Sequence, residues 1–419
     1  MHQQPLPESS RPHRFARFAQ AALWLMVVMW LLFGLAWGAL HWFIVPRISE
    51  FRPQLEAKAS AILGVRVRID AIAAQSNGMI PSFELVGVRL FDAQGRESLH
   101  LPRVLAALSP RSLWNMGFEQ LYIDRPELNI RRAPDGRIFV AGLDFSAAPD
   151  TDNGAADWLF SQSEFVIHEG TVQWTDEKRA LPTLALQQVN FVLRNRLHQH
   201  SARLDATPPA QWGERFSLRA LLRQPLLSAH DGQWREWDGQ LYALFGHVDL
   251  SELRRYADLG VQLTQGRGAL RAWVDVQRGQ VQGATADVAL ESVEVTLGPD
   301  LQPMALHSVS GRLGAHLLPR GFEFSTKALQ FQTGDGLRWP GGNVRVQHQS
   351  ADGKTAAKGE LSADRLDLAA LSQIANRLPF GPEVRAQLQT YVPKGLVESL
   401  WLKWQGNAQA ITKYQPKGR

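Results

Sequence analysis

His198 and His200 are the residues of this chain best spaced for chemistry. Two apart, they would share one face of an extended segment and offer two nitrogens to a metal. No carboxylate stands at useful spacing, and the neighbours Arg194, Arg196 and Arg203 are cationic, so the expectation is solvated polar residues and no metal site. Gln265-Gly266-Arg267-Gly268 has two glycines but neither the lysine nor the helix that a phosphate loop needs. Gly334-Asp335-Gly336 reads as a hairpin turn. Neither Gly-x-Ser-x-Gly nor His-Glu-x-x-His occurs. The absence of cysteine excludes disulfides, thiol nucleophiles, thiolate metal sites and iron–sulfur clusters. The expectation is a protein that is not an enzyme, with no catalytic, cofactor-binding or metal residues.

The elements behind these residues position an apolar surface instead. Ala21 to Leu40 is a stretch of twenty residues without a charge. At about 1.5 Å per residue it spans about 30 Å, the thickness of a bilayer's hydrocarbon core. Ala21, Leu23, Leu25, Val28, Leu31, Leu32, Leu35 and Leu40 are the expected anchor residues, within a spanning segment 18–45. Trp37, Trp42 and Phe43 at one end, with Phe15 and Phe18 at the other, fit interfacial aromatic belts. Ala36-Trp37-Gly38 would suit a signal-peptide cut, but the run is longer than a usual h-region and bulky residues continue past it. Arg11, Arg14 and Arg17 precede the run, which predicts a cytoplasmic basic tail over 1–17 and a translocated body behind the helix.

That body has ordinary globular composition: 45% hydrophobic and 20% charged, so general disorder is not expected. A net charge of +5 with no basic patch argues against nucleic acid as a partner. Ile48, Phe51, Leu55, Ala59 and Ile62 recur at helical spacing and predict an amphipathic helix ended by Gly64. Val65 to Asp70 alternates as a half-buried strand. Phe83 and Leu85 alternate in one parity and Val88 and Leu90 in the other, which marks Gly87 as a bulge. Together 46–145 form a first β region, 146–157 a polar linker or loop, and 158–419 a repetitive β region. Two similar stretches, Val248-Asp249-Leu250-Ser251-Glu252-Leu253 and Leu366-Asp367-Leu368-Ala369-Ala370-Leu371, predict short helices near 249–259 and 367–391. Helices this few cannot cover some twenty strands, so the apolar faces either meet in a sandwich or line a groove. Periodicity leaves both open.

The order of several segments resembles the AsmA-like proteins of Gram-negative bacteria, most closely their long YhdP-type members. After the anchor come Leu63-Gly64-Val65-Arg66-Val67, Pro81 through Leu90, Ser109-Pro110-Arg111-Ser112-Leu113-Trp114 and Leu121 through Leu128. Pro134-Asp135-Gly136-Arg137, Gly170-Thr171-Val172-Gln173-Trp174 and Leu400 through Gly406 follow. The resemblance implies a mainly β chain, an elongated, open antiparallel β-groove with few short helices and one N-terminal transmembrane helix. It implies anchoring in the bacterial inner membrane with the bulk in the periplasm, and phospholipids moving through the groove toward the outer membrane. Phe83, Leu85, Leu128, Ile130, Val172, Trp174, Val274, Val276, Phe322 and Phe324 are then the expected lining. The partners would be phospholipids and the inner membrane. The alternative is a periplasmic scaffold or assembly factor, with other envelope proteins as partners and no conduit. Relatives of this type are longer and this sequence stops at Arg419 without a capping signal, so a partial chain is expected.

Overall fold

The computed structural model describes residues 12–39, 42, 45–75, 82–91, 95, 97–107, 118–144, 154–226, 228, 232–256, 262–352, 356–406 and 413–417. Pro12–Ala39 is one helix of 28 residues. Its Phe18–Leu35 window has mean hydropathy 2.0 and no buried residue, long and apolar enough to cross a membrane. Ala21, Leu23, Leu25, Val28, Leu31, Leu32 and Leu35 are all exposed along it, while Leu40 lies outside the described residues. The helix begins before the apolar run and takes in Arg14 and Arg17 of the basic stretch expected over 1–17. Arginine is a good helix former and Pro12 suits a first turn, so the helix extends past the apolar stretch.

The body is one 21-stranded sheet. In chain order the strands are β1 Arg66–Gln75, β2 Ser82–Phe91, β3 Glu97–Ala107, β4 Gln120–Asp124, β5 Glu127–Arg132, β6 Ile138–Val140, β7 Leu143–Asp144, β8 Glu164–Asp176, β9 Leu184–Arg196, β10 Gln199–Thr207 and β11 Phe216–Arg223. Then come β12 Asp238–Asp249, β13 Gln262–Gln277, β14 Gln280–Thr296, β15 Met304–Leu318, β16 Gly321–Thr333, β17 Arg338–Trp339, β18 Val344–Gln349, β19 Lys358–Asp367, β20 Leu396–Gln405 and β21 Lys413–Lys417. Neighbours in sequence are antiparallel neighbours in space almost throughout. The exceptions include β4 and β5, which pair in parallel with successive halves of β8, and β17 and β18, which both pair with β16. The strands before and after the 146–157 segment therefore belong to one sheet, and the end of that segment is helical from Gly154.

Left-handed residues recur in the middle of strands: Gly87 (φ +63°), Glu169 (+49°), Gln188 (+49°), Ser292 (+52°), Ala328 (+51°) and Ser399 (+58°). Each turns the chain over locally, so inward parity changes there, from Ala286, Val288 and Leu290 to Val293 and Val295 on β14. Paired strands invert together in β1–β2, β14–β15 and β19–β20, whereas β12–β13 and β15–β16 are offset by register shifts. Ile69 pairs with Val88 and Ala71 with Val86 in one unshifted register across Gly87, so Gly87 is not the isolated bulge its sequence predicts. It belongs to a seam that β1, β2 and β3 share.

Short helices close one rim. Arg52–Leu63, Leu250–Tyr256 and Leu368–Ile374 all sit at the rim where β1 begins and β12 and β19 end. Asp249 and Asp367 begin the last two alike: Asp249 Oδ1 accepts from Ser251 N–H at 2.9 Å, and Asp367 Oδ1 accepts from Ala369 and Ala370 N–H at 3.0 Å. The two similar sequence stretches are thus one strand–cap–helix unit used twice. Arg52–Leu63 stops at Gly64 in a left-handed cap and covers the edge of β1. Val67 N–H donates to Ser60 Oγ at 2.9 Å and Ile69 N–H to Glu56 Oε1 at 2.7 Å, satisfying edge donors that would recruit another strand.

Candidate functional site

Paired residues in a ladder point to the same side of a sheet, so register alone traces each face. One row runs Ala74, Phe83, Ala106, Leu121, Phe165, Leu193, Ala202, Ala220, Leu241, Val274, Ala284, Ala315, Phe324, Val346, Leu361, Leu402. Every position from β1 to β20 is apolar. The neighbouring row, from Ile72 and Leu85 through Ile123, Leu204, Ala243, Ala272 and Leu313 to Leu400, is apolar except at Thr326. All ten residues expected from sequence to line a groove lie on this face: Phe83, Leu85, Leu128, Ile130, Val172, Trp174, Val274, Val276, Phe322 and Phe324.

The opposite face is ionic. Arg103 bonds Glu84 at 2.6 Å, Arg194 bonds Glu164 at 2.7 Å, and Asp287 sits between Arg312 (2.5 Å) and Arg271 (3.0 Å). Asp287 is held below the usual carboxylate range, first by the hydrogen bond from Arg312 and further by Arg271. Exposed pairs of this kind contribute about 0–1 kcal/mol each, so they specify which face meets water more than they stabilise the sheet.

Access to the apolar face differs along the molecule. At the start it is a dry core: Phe83 (4% exposed), Val104 (3%) and Ala106 (1%) pack with Leu55 and Ala59 of Arg52–Leu63 and with Trp158 of the helix Gly154–Ser161. These two helices touch each other above the sheet. Further on, the face opens. Leu241 is 37% exposed, Phe324 40% and Phe322 45%. From β10 to β20, at about 4.8 Å per strand, the open stretch is on the order of 40 Å long. Over this stretch no second sheet covers the face among the described residues.

The rows run through alanine where sequence reading looked for large residues. Ala220, Ala243, Ala272, Ala284 and Ala315 carry the middle of the face, and period-two alternation through alanine was the signal for them. The helix Gly154–Ser161 was missed as well, although Trp158-Leu159-Phe160 announces an apolar element after the polar stretch.

The histidines do not form the pair their spacing predicts. His198 is exposed in the turn between β9 and β10, while His200 lies buried on β10. The tight turn ends the extended segment before His198, so the two never share a face. His200 is not solvated either. Its ring stacks on Trp237 at 3.9 Å and 5°, with Phe160 edge-on to both. Nδ1 lies 2.8 Å from Asn195 Oδ1 and Nε2 3.3 Å from Gln224 Oε1. This cluster ties Gly154–Ser161 to the rim of the open face. Among the described residues no group of His, Cys, Asp or Glu is arranged to hold a metal.

The family described as YhdP protein matches residues 10–419. The chain belongs to the YhdP family. No curated protein and no solved structure matches it. Membership in the YhdP family covers the apolar helix and the sheet alike, so both are parts of one family architecture.

Proposed function

We propose that this YhdP-family chain carries phospholipid acyl chains along the apolar face of its sheet, without catalysing a reaction. The N-terminal helix anchors it in the bacterial inner membrane, the sheet lies in the periplasm, and the lipid moves toward the outer membrane. The observation behind this reading is the pair of apolar rows that cross the sheet strand after strand and stay accessible from β10 to β20. A soluble protein rarely leaves so large a contiguous apolar surface without an occupant. Acyl chains suit it because the face offers no hydrogen-bonding group at regular spacing.

The helices over Phe83 place a closed section between the anchor and the open face. In this reading they part when lipid is taken up. Photo-crosslinking tests the function directly. A photoreactive residue at Val274 labels phospholipid in cells, and one at Asp275, its neighbour on the ionic face, does not. Equal labelling from both positions, or none from either, would overturn the proposal.

A further inference from the structure

Ion pairs such as Arg103–Glu84 and Arg131–Glu177 recur along the ionic face. Across β9 to β13 it holds a depression of about 740 Å³, lined among others by Arg194, Arg203, Arg219, Leu221, Tyr242 and Trp273. No carboxylate lines it. Arg194 and Arg203 each keep one acidic partner, Glu164 at 2.7 Å and Asp205 at 2.7 Å. Arg219 has no carboxylate within ion-pair distance among the described residues, and its guanidinium stands 5.9 Å over the Tyr242 ring. Tyr242 and Trp273 are cross-strand neighbours with centroids 5.5 Å apart. Arg271 and Arg312 lie over the Trp273 ring at 5.4 and 5.5 Å and share the single carboxylate of Asp287. The nearest acid on the other side, Asp275, accepts from Gln240 at 2.8 Å.

Leu221 is 47% exposed beside these arginines. Arginine, tyrosine and tryptophan gathered around a concavity are the residue types that dominate protein–protein binding energy. Arg219 supplies the directional element, a planar donor fork suited to a carboxylate. The aromatic pair and Leu221 supply the apolar anchor beside it. We infer that the depression centred on Arg219, Tyr242 and Trp273 docks a segment of another polypeptide in which an acidic side chain adjoins an apolar one. This site faces away from the apolar rows and does not depend on the lipid reading.

The test uses the full chain in phosphatidylethanolamine nanodiscs and a fluorescein-labelled peptide of alternating Glu and Phe, read by anisotropy. The peptide binds, and its Gln–Phe counterpart binds at least several-fold more weakly. Arg219→Gln weakens binding about tenfold, the size of loss expected at a binding hot spot. Trp273→Phe, which keeps an aromatic ring, weakens it less than Arg219→Gln. Ala272→Asp on the opposite face leaves peptide binding unchanged even where it lowers co-extracted lipid, which separates the two readings. Wild-type affinity in Arg219→Gln would overturn the inference. So would displacement of the peptide by phosphatidylglycerol vesicles as effectively as by unlabelled peptide, which would mark a membrane-binding surface.

Discussion

Asp70 lies directly beneath Gly87. A Cβ on Gly87 would stand 2.8 Å from Asp70 Cγ and closer still to Oδ2, while Arg89 holds that carboxylate at 2.5 Å from the ionic side. Gly87 also has φ of +63°, where any other L-residue is strained. The seam at this point thus depends on a missing side chain. Gly87→Ala is expected to destabilise the protein by roughly 1–3 kcal/mol, read as a lowered urea midpoint of the detergent-solubilised chain. Adding Asp70→Ala removes the collision and recovers part of the loss. A neutral Gly87→Ala would mean that the seam tolerates a side chain there.

Ala272 stands in the middle of the second apolar row, between Ala243 and Ala286. Ala272→Asp places a charge where acyl chains would slide, at a half-buried site that can still hydrate the carboxylate. Lipid co-extracted with the protein, counted by mass spectrometry, should fall about tenfold while the far-ultraviolet circular dichroism stays unchanged. Unaltered lipid content in a folded variant would count against the conduit.

Trp158 helps to roof the closed section above Phe83. If the two helices part to admit lipid, Trp158→Ala should favour the open arrangement. A photoreactive group replacing Phe83 would then label phospholipid several-fold more in Trp158→Ala than in the parent. Identical yields would show a fixed core.

His200→Leu removes a buried ring whose two nitrogens face amide oxygens, leaving Asn195 and Gln224 without those partners. Asn195 Nδ2 donates to Gln162 O at 2.7 Å, so its oxygen cannot simply turn away. A loss of roughly 2–4 kcal/mol is expected from unsatisfied acceptors and altered packing. Hydrogen exchange should speed up first at Gln162 and Trp237. Uniform acceleration along the whole sheet would argue against a local latch.

Asp287 gives a prediction about acid. Its folded-state value lies below the ordinary 3.8, owing first to Arg312, so it binds its proton less readily when folded than when unfolded. Its contribution is therefore full above the unfolded value and is lost as pH falls through the folded one. Asp287→Asn should flatten the acid side of the stability curve below about pH 4 and lower the plateau above it. An unchanged acid limb would assign the acid sensitivity to other carboxylates.

The strands and their faces were legible because alternation in this chain is long and regular. Val274 and Asp275 are assigned to opposite faces by period two alone, and the ladder keeps them there. The parity change at Gly87 was visible as well. Its meaning was not, because one strand's pattern cannot show that its neighbours invert at the same level. The choice between sandwich and groove was likewise out of reach, since Phe324 has the same sequence signature whether covered or open. His200 was misread for a related reason: its partners Trp237 and Gln224 come from chain segments that only the fold brings together.

The seam has a consequence for how such a chain changes over time. Where paired strands invert at one level, as at Gly87, inserting or deleting a single residue within a strand would throw its outward charges among its neighbours' inward apolar groups unless a bulge absorbs it. Length is therefore free to vary by whole hairpins, each adding about 10 Å, while the count of residues within a strand is nearly locked. Gene duplication of strand pairs is the natural route by which a sheet of this kind grows, and point insertions should be found in its turns.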